Sequence, residues 1–120
     1  MRTRPSKDAP LDGRTASREE LLNLALDIDM EWGPELGRPQ DVRFHERCTG
    51  IEPEAADLLL AEAGAASSLG VGIVYDDWDE SKVDDLQATA RAAVSARYPW
   101  VDDDNMNRIL SQAAYYGWHG

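Results

Sequence analysis

Residues 17–32 read SREELLNLALDIDMEW, and this stretch decides the fold class. Ser17 and Glu20 have the spacing of a capping box, in which the serine and glutamate side chains satisfy free backbone N–H groups at a helix start. From Leu21 to Trp32, apolar residues recur at the spacing of one helix face, and a Gly-Pro pair then follows. The stretch therefore predicts a helix over residues 18–32.

The same two signals, a cap and an apolar stripe, recur along the chain. Pro53 suits the first turn of a helix, where its missing N–H costs nothing. Asp79 and Asp102 each have an apolar residue directly before them and another four residues after them, which is the arrangement of a capped helix start. These signals predict three further main helices, at about 53–68, 80–98 and 103–117.

Two segments are less regular. Residues 33–52 are rich in loop formers, but 40–48 fit a short fifth helix that turns Val42 and Phe44 partly inward. Residues 69–75, LGVGIVY, suit either a buried extended segment or a distorted helical turn. We therefore predict an all-α fold, a compact bundle of four main helices with a short fifth helix.

The N-terminal segment differs in composition from the rest. Residues 1–16 contain prolines, a glycine and many charges, with too little apolar surface to offset the entropy lost on ordering. We expect 1–16 to be a disordered basic tail and 17–120 to be a single helical domain.

Charge narrows the classes of partner. The net charge is −11, but residues 1–18 carry +3 and residues 19–120 carry −14. Such a body repels a phosphate backbone, so we expect no direct nucleic-acid binding and favour a basic protein partner.

The cysteine count and the search for targeting segments bear on the cellular location. Cys48 is the one cysteine, so an intramolecular disulfide cannot form, which fits a reducing compartment. The N-terminus lacks the apolar core of a secretory signal, and no stretch approaches the eighteen apolar residues of a membrane span. We expect a cytoplasmic protein without a membrane partner.

Acids and aromatics gather in the C-terminal half. Six carboxylates lie within residues 76–85, and five of the nine aromatic residues lie within 98–118. Helix starts favour acids, which explains part of the cluster, whereas exposed Trp or Tyr beside acids is typical of a protein-binding surface. The predicted binding surface comprises Asp76, Asp77, Asp79, Glu80, Asp84, Asp85, Trp100, Tyr115 and Trp118.

Asp29 and Glu62 fall on apolar helix faces. A buried carboxylate needs a partner, so the pair predicts either a divalent metal site or, as the favoured reading, structural ion pairs with Arg97 or an arginine of 38–47. His45 and Cys48 lie three residues apart, but a tetrahedral zinc site needs further ligands.

The function classes can now be ranked. A non-enzymatic binding module that docks a basic partner comes first, of the kind represented by immunity proteins, antitoxins and inhibitors. A metal-binding helical protein using Asp29 and Glu62 is one alternative, and a structural subunit or homo-oligomer is another. An enzyme ranks last, because the chain has no phosphate loop and no dinucleotide-binding motif. No cofactor is expected, except a divalent metal under the first alternative.

Overall fold

The computed structural model describes residues 10–31 and 37–119, and this part of the chain is all-α, as predicted. A 3₁₀ turn, Glu80–Lys82, precedes the fourth helix. The helices and the two short strands are β1 Leu11–Asp12, α1 Arg18–Asp29, α2 Gln40–Arg47, β2 Cys48–Thr49, α3 Pro53–Asp76, α4 Val83–Arg97 and α5 Asp103–His119. The short fifth helix expected near 40–48 is thus present as α2.

The chain divides into two compact units, Met1–Ala63 and Gly64–Gly120, with the boundary inside α3. In the first unit, the capping box of α1 is confirmed: Ser17 Oγ accepts from Glu20 N at 3.1 Å, and Ser17 N donates to Glu20 Oε1 at 3.0 Å. All residues from Leu21 to Ile28 are buried, so this short helix is covered on every side. Trp32, the predicted last residue of the helix, lies outside the described residues.

Arg43 of α2 holds the end of α1. Its buried guanidinium donates from Nη1 to the carbonyl oxygen of Ile28 at 3.1 Å, at the helix end where this oxygen also accepts from Glu31 N at 3.3 Å. Phe44 is fully buried, as predicted, but Val42 is 44% exposed and does not turn inward. The expectation for Val42 is therefore wrong, because Arg43 and Phe44 together occupy the buried face of this eight-residue helix.

Strands β1 and β2 form a two-residue parallel pair, with Leu11 opposite Cys48 and Asp12 opposite Thr49. Gly13 N extends the pairing by donating to Thr49 O at 2.7 Å. Because we expected residues 1–16 to be disordered, strand β1 was not predicted. Residues 1–9 of the expected tail lie outside the described residues, and the single-domain assignment of 17–120 stays a prediction.

Helix α3 runs eight residues beyond its predicted end. The ambiguous segment 69–75 is helical throughout, even though it contains Gly70 and Gly72. A Cβ atom at Gly70 would lie 2.5 Å from Ile109 Cγ2 and 3.2 Å from Val94 Cγ2. Close packing of α3 against side chains of α4 and α5 therefore overrides the low helix propensity of glycine.

The length of α3 also corrects an expectation about membrane spans. Within the described residues, Pro53–Asp76 is long and apolar enough to cross a membrane by length and composition, although a buried core helix can pass the same test. Glu62 is the one charged residue between Leu58 and Tyr75.

In the second unit, two side-chain hydrogen bonds join α4 to α5. Gln87 Nε2 donates to Leu110 O at 3.1 Å, and Arg91 Nη2 donates to Asn107 Oδ1 at 3.1 Å. The cap predicted for α5 is confirmed, since Asp102 Oδ1 accepts from Asn105 N at 2.8 Å. The buried apolar side chains of the two helices are Ala90, Val94, Met106, Ile109, Leu110 and Ala113.

Candidate functional site

An open groove of about 500 Å³ lies in the second unit, where the 3₁₀ turn and the start of α4 approach the end of α5. Glu80, Asp84 and Asp85 bring three carboxylates to it, against the single ammonium group of Lys82. Trp118 adds an indole ring that is 57% exposed. We call this the acidic groove, lined by Glu80, Ser81, Lys82, Val83, Asp84, Asp85 and Trp118.

A capped turn positions the carboxylates of the acidic groove. Asp79 Oδ1 accepts from Ser81 N at 2.9 Å and from Ser81 Oγ at 2.7 Å, which confirms Asp79 as a cap. The helix that follows is a 3₁₀ turn, and α4 itself begins at Val83. Asp84 and Asp85 consequently lie in the first turn of α4, where the helix dipole stabilises their charge.

The hydrogen bonds at this cap also fix the charge of Asp79. The Ser81 hydroxyl, followed by the Ser81 backbone N–H, lowers the pKa of Asp79 below its ordinary value. The ionised form of Asp79 is thus stabilised by the capped turn. Among the described residues, Asp79 is not one that lines the acidic groove.

Gly117 allows the ring of Trp78, which contacts Trp118, to lie against the backbone of α5. A Cβ atom at Gly117 would lie 2.1 Å from Trp78 Cε3, so the bare backbone of α5 at this position is what admits the Trp78 ring. Trp78 and Trp118 then meet edge to face, with 5.6 Å between ring centroids. Helix α5, which was predicted to end at residue 117, continues to His119, so Gly117 lies inside it.

Asp76 and Asp77, also predicted for the binding surface, line a second groove of about 480 Å³. Its remaining walls come from α3 and α4, and we call it the α3–α4 groove. Both carboxylates belong to exposed residues at the C-terminal end of α3. The other lining residues are Ser68, Leu69, Gly72, Ile73 and Thr89.

Trp100 and Tyr115 occupy other aromatic groups. Trp100 is half-buried and packs edge to face on Tyr98, with centroids 6.1 Å apart. Tyr115 is 47% exposed and lies 4.4 Å from the His119 ring and 5.9 Å from the Tyr116 ring, centroid to centroid. As far as the described residues define the two grooves, neither Trp100 nor Tyr115 lines them.

The two candidate metal ligands each have a protein partner. Asp29 is half-buried and accepts from Gln40 Nε2 at 3.2 Å. Glu62 is also half-buried and forms an ion pair with Arg18 at 2.7 Å, an arginine that the sequence did not indicate as its partner. Within the described residues, no group of three or more His, Cys, Asp or Glu side chains is placed to hold a metal ion.

The basic region of 38–47 is engaged within the first unit. Arg47 Nη1 lies 2.6 Å from Glu31 Oε1, and Arg43 Nη1 lies 3.5 Å from the same oxygen. Arg38 pairs with Glu46. These arginines therefore neutralise acids of their own unit.

Cys48 is fully buried. Burial, with a smaller contribution from the charge of Asp12, raises the pKa of the thiol. His45 is exposed and contacts the ring of Phe44.

The predicted binding surface did not include the Ser81–Val83 stretch of the acidic groove. It also lacked the lining residues of the α3–α4 groove other than its two aspartates, namely Ser68, Leu69, Gly72, Ile73 and Thr89. The Asp-x-Ser spacing of 79 and 81 is typical of a local cap and signals that stretch of the acidic groove. Gly72 gave a signal too, because a glycine within a helical segment has an intrinsic cost that calls for a packing or functional reason.

Comparison with known proteins finds no matching family model, no similar curated protein and no similar solved structure. A function for this chain must therefore be inferred from the chemistry of the described residues.

Proposed function

We propose that this chain is a non-enzymatic protein-binding module that docks a basic segment of a partner protein at the acidic groove. The observation that carries the proposal is the position of Trp118, 57% exposed beside the carboxylates of Glu80, Asp84 and Asp85. The groove combines an aromatic surface with negative charge, and both features suit a cationic side chain.

The chemistry favours arginine over lysine at this place. A guanidinium stacks its flat face on an indole ring and donates two parallel hydrogen bonds to a carboxylate. Trp is also among the residues that contribute most to binding energy in protein interfaces. An arginine over Trp118, paired with Asp84 or Asp85, would use both the aromatic surface and the negative charge of the acidic groove.

Long-range electrostatics supports the same class of partner. Residues 19–120 carry a net charge of −14. A field of this sign accelerates association with a basic protein and makes the rate fall as salt rises. Neutralisers of basic enzymes, such as immunity proteins, antitoxins and inhibitors, work in this way, and we propose that this chain belongs to that functional class.

The first experiment uses the full chain and a synthetic arginine-rich peptide, with calorimetry as the readout. The double variant Asp84→Asn/Asp85→Asn should weaken binding about threefold to tenfold, because it removes two exposed charge pairs. Trp118→Ala should weaken binding by about tenfold or more.

The control matches the charge change. Asp103→Asn/Asp104→Asn also removes two exposed acids from the first turn of a helix, in this case α5. If both double variants lose the same affinity, the peptide senses only total charge and the acidic groove is not the site. Equal affinity of wild type and Trp118→Ala would contradict the proposal as well.

A further inference from the structure

The α3–α4 groove contains a glycine that the chain itself does not require. At Gly72, an added Cβ atom would meet one atom within 4 Å, Asp76 Oδ2, at 4.0 Å. Glycine inside a helix costs about 0.5–1 kcal/mol relative to alanine, because it loses more backbone freedom on folding. Gly70 offsets that cost by close packing against Ile109, whereas Gly72 opens toward the groove.

The walls beside Gly72 are apolar. Leu69 and Ile73 are one helical turn apart and both half-buried, so part of each side chain stays open to solvent. Ser68 precedes Gly72 by one turn and adds a second small residue, which leaves the helix backbone accessible at the groove floor. Apolar walls over an accessible backbone suit an apolar side chain on a closely approaching segment.

Charge decides between the candidate occupants. Asp76 lies one turn beyond Gly72, and Asp77 follows it. A second copy of this chain carries a net charge of −11 and would bring further acids toward these carboxylates. A basic segment pairs with them, so charge complementarity favours a basic partner.

The two grooves are also close along the chain. Three peptide units separate Asp77 of the α3–α4 groove from Glu80 of the acidic groove, so their Cα atoms are at most about 11 Å apart. One bound segment of a few turns spans that distance.

We therefore propose that the partner segment is amphipathic as well as basic. An apolar side chain enters the α3–α4 groove over Gly72, and its basic neighbours pair with Asp76 and Asp77. This inference rests on the proposed function, because it describes the same partner segment at a second contact.

The test uses the full chain and two synthetic peptides of equal charge and length. Both are fourteen-residue helix formers with the same arginines (~21 Å when helical); one has leucines along one face, and the other has glutamines there. Calorimetry should show the leucine peptide binding wild type at least about tenfold more tightly. Gly72→Met fills the groove and should abolish that preference, so that the leucine peptide binds this variant no more tightly than the glutamine peptide does.

Ser95→Met is the matched control. Ser95 is an exposed residue of α4, about 120° around the helix from Thr89, and the added bulk should change neither affinity. Thermal melting should show Gly72→Met to be at least as stable as wild type, because the position is open and methionine has a higher helix propensity than glycine.

Three results would overturn the inference. Equal affinities of the two peptides for wild type would do so, and so would a leucine preference that survives Gly72→Met. Sedimentation that shows a dimer dissociated by Gly72→Met would assign the groove to a second copy. In each case, Asp84→Asn/Asp85→Asn measured with the glutamine peptide still tests the proposed function separately.

Discussion

Gly70 and Gly72 are two residues apart in α3, but they have opposite surroundings. Two residues turn a helix by about 200°, so the two positions face different sides. Gly70 is buried with Ile109 and Val94 directly against it, whereas Gly72 lines an open groove. The same residue type thus serves internal packing at one position and leaves space for an external group at the other.

Gly70→Ala should have the largest effect. The new methyl group would lie 2.5 Å from Ile109 Cγ2, and the β-branched isoleucine has few alternative rotamers. We expect the free energy of unfolding to fall by about 2–3 kcal/mol, as for other overpacked cores. Urea denaturation measures it, and an unchanged midpoint would mean that this face is not closely packed.

Gly117→Ala should have a smaller effect of the same sign, about 1–2 kcal/mol. The methyl group would displace the Trp78 ring, but the end of α5 can yield more easily than the middle of α3. Near-ultraviolet circular dichroism should lose the signal of the Trp78–Trp118 pair. Retention of that signal would refute the packing described for Gly117.

Gly72→Ala should have the opposite sign. The methyl group meets no atom closer than 4.0 Å, so the higher helix propensity of alanine should raise the free energy of unfolding by about 0.5–1 kcal/mol. The comparison of the two glycines predicts a decrease at 70 and an increase at 72 in the same urea assay. A decrease at both positions would break it.

The smallest expected effect is a change in the pKa of Asp79, which caps the 3₁₀ turn before α4. Ser81→Ala removes the hydroxyl that most lowers the pKa of Asp79, so that pKa should rise toward its ordinary value. A carboxyl group whose pKa is lowered by folding stabilises the protein at pH values above the pKa of the unfolded chain. This stabilisation is lost as the pH falls through the pKa of the folded state. NMR titration of the Asp79 carboxyl in wild type and variant measures the shift. Identical titrations would show that the Ser81 hydroxyl does not lower this pKa.

Local signals in the sequence predicted the helix starts well. Ser17, Asp79 and Asp102 each accept a backbone N–H as expected, because capping depends on residues only two or three positions away. The end of α3 was not predictable in this way. Its continuation through Gly70 depends on Val94 and Ile109, which are distant in sequence.

The candidate site, like the fold, was predictable only in part. Acids and Trp118 were identified from composition, but their division between two grooves depends on how α3, α4 and α5 pack. Periodicity placed Asp29 and Glu62 inward, and both are half-buried. Their partners, Gln40 and Arg18, follow from contacts between helices that periodicity does not contain.

Cys48 gives the molecule an internal probe of local opening. It is the single thiol of the chain, it is fully buried, and its strand is paired with Leu11–Asp12. A thiol reagent can react only in molecules where this site has opened, so the labelling rate at fixed reagent concentration reports the free energy of that opening. Without any engineered label, the unmodified protein can therefore show whether β1 separates from β2 on its own or only when the first unit unfolds.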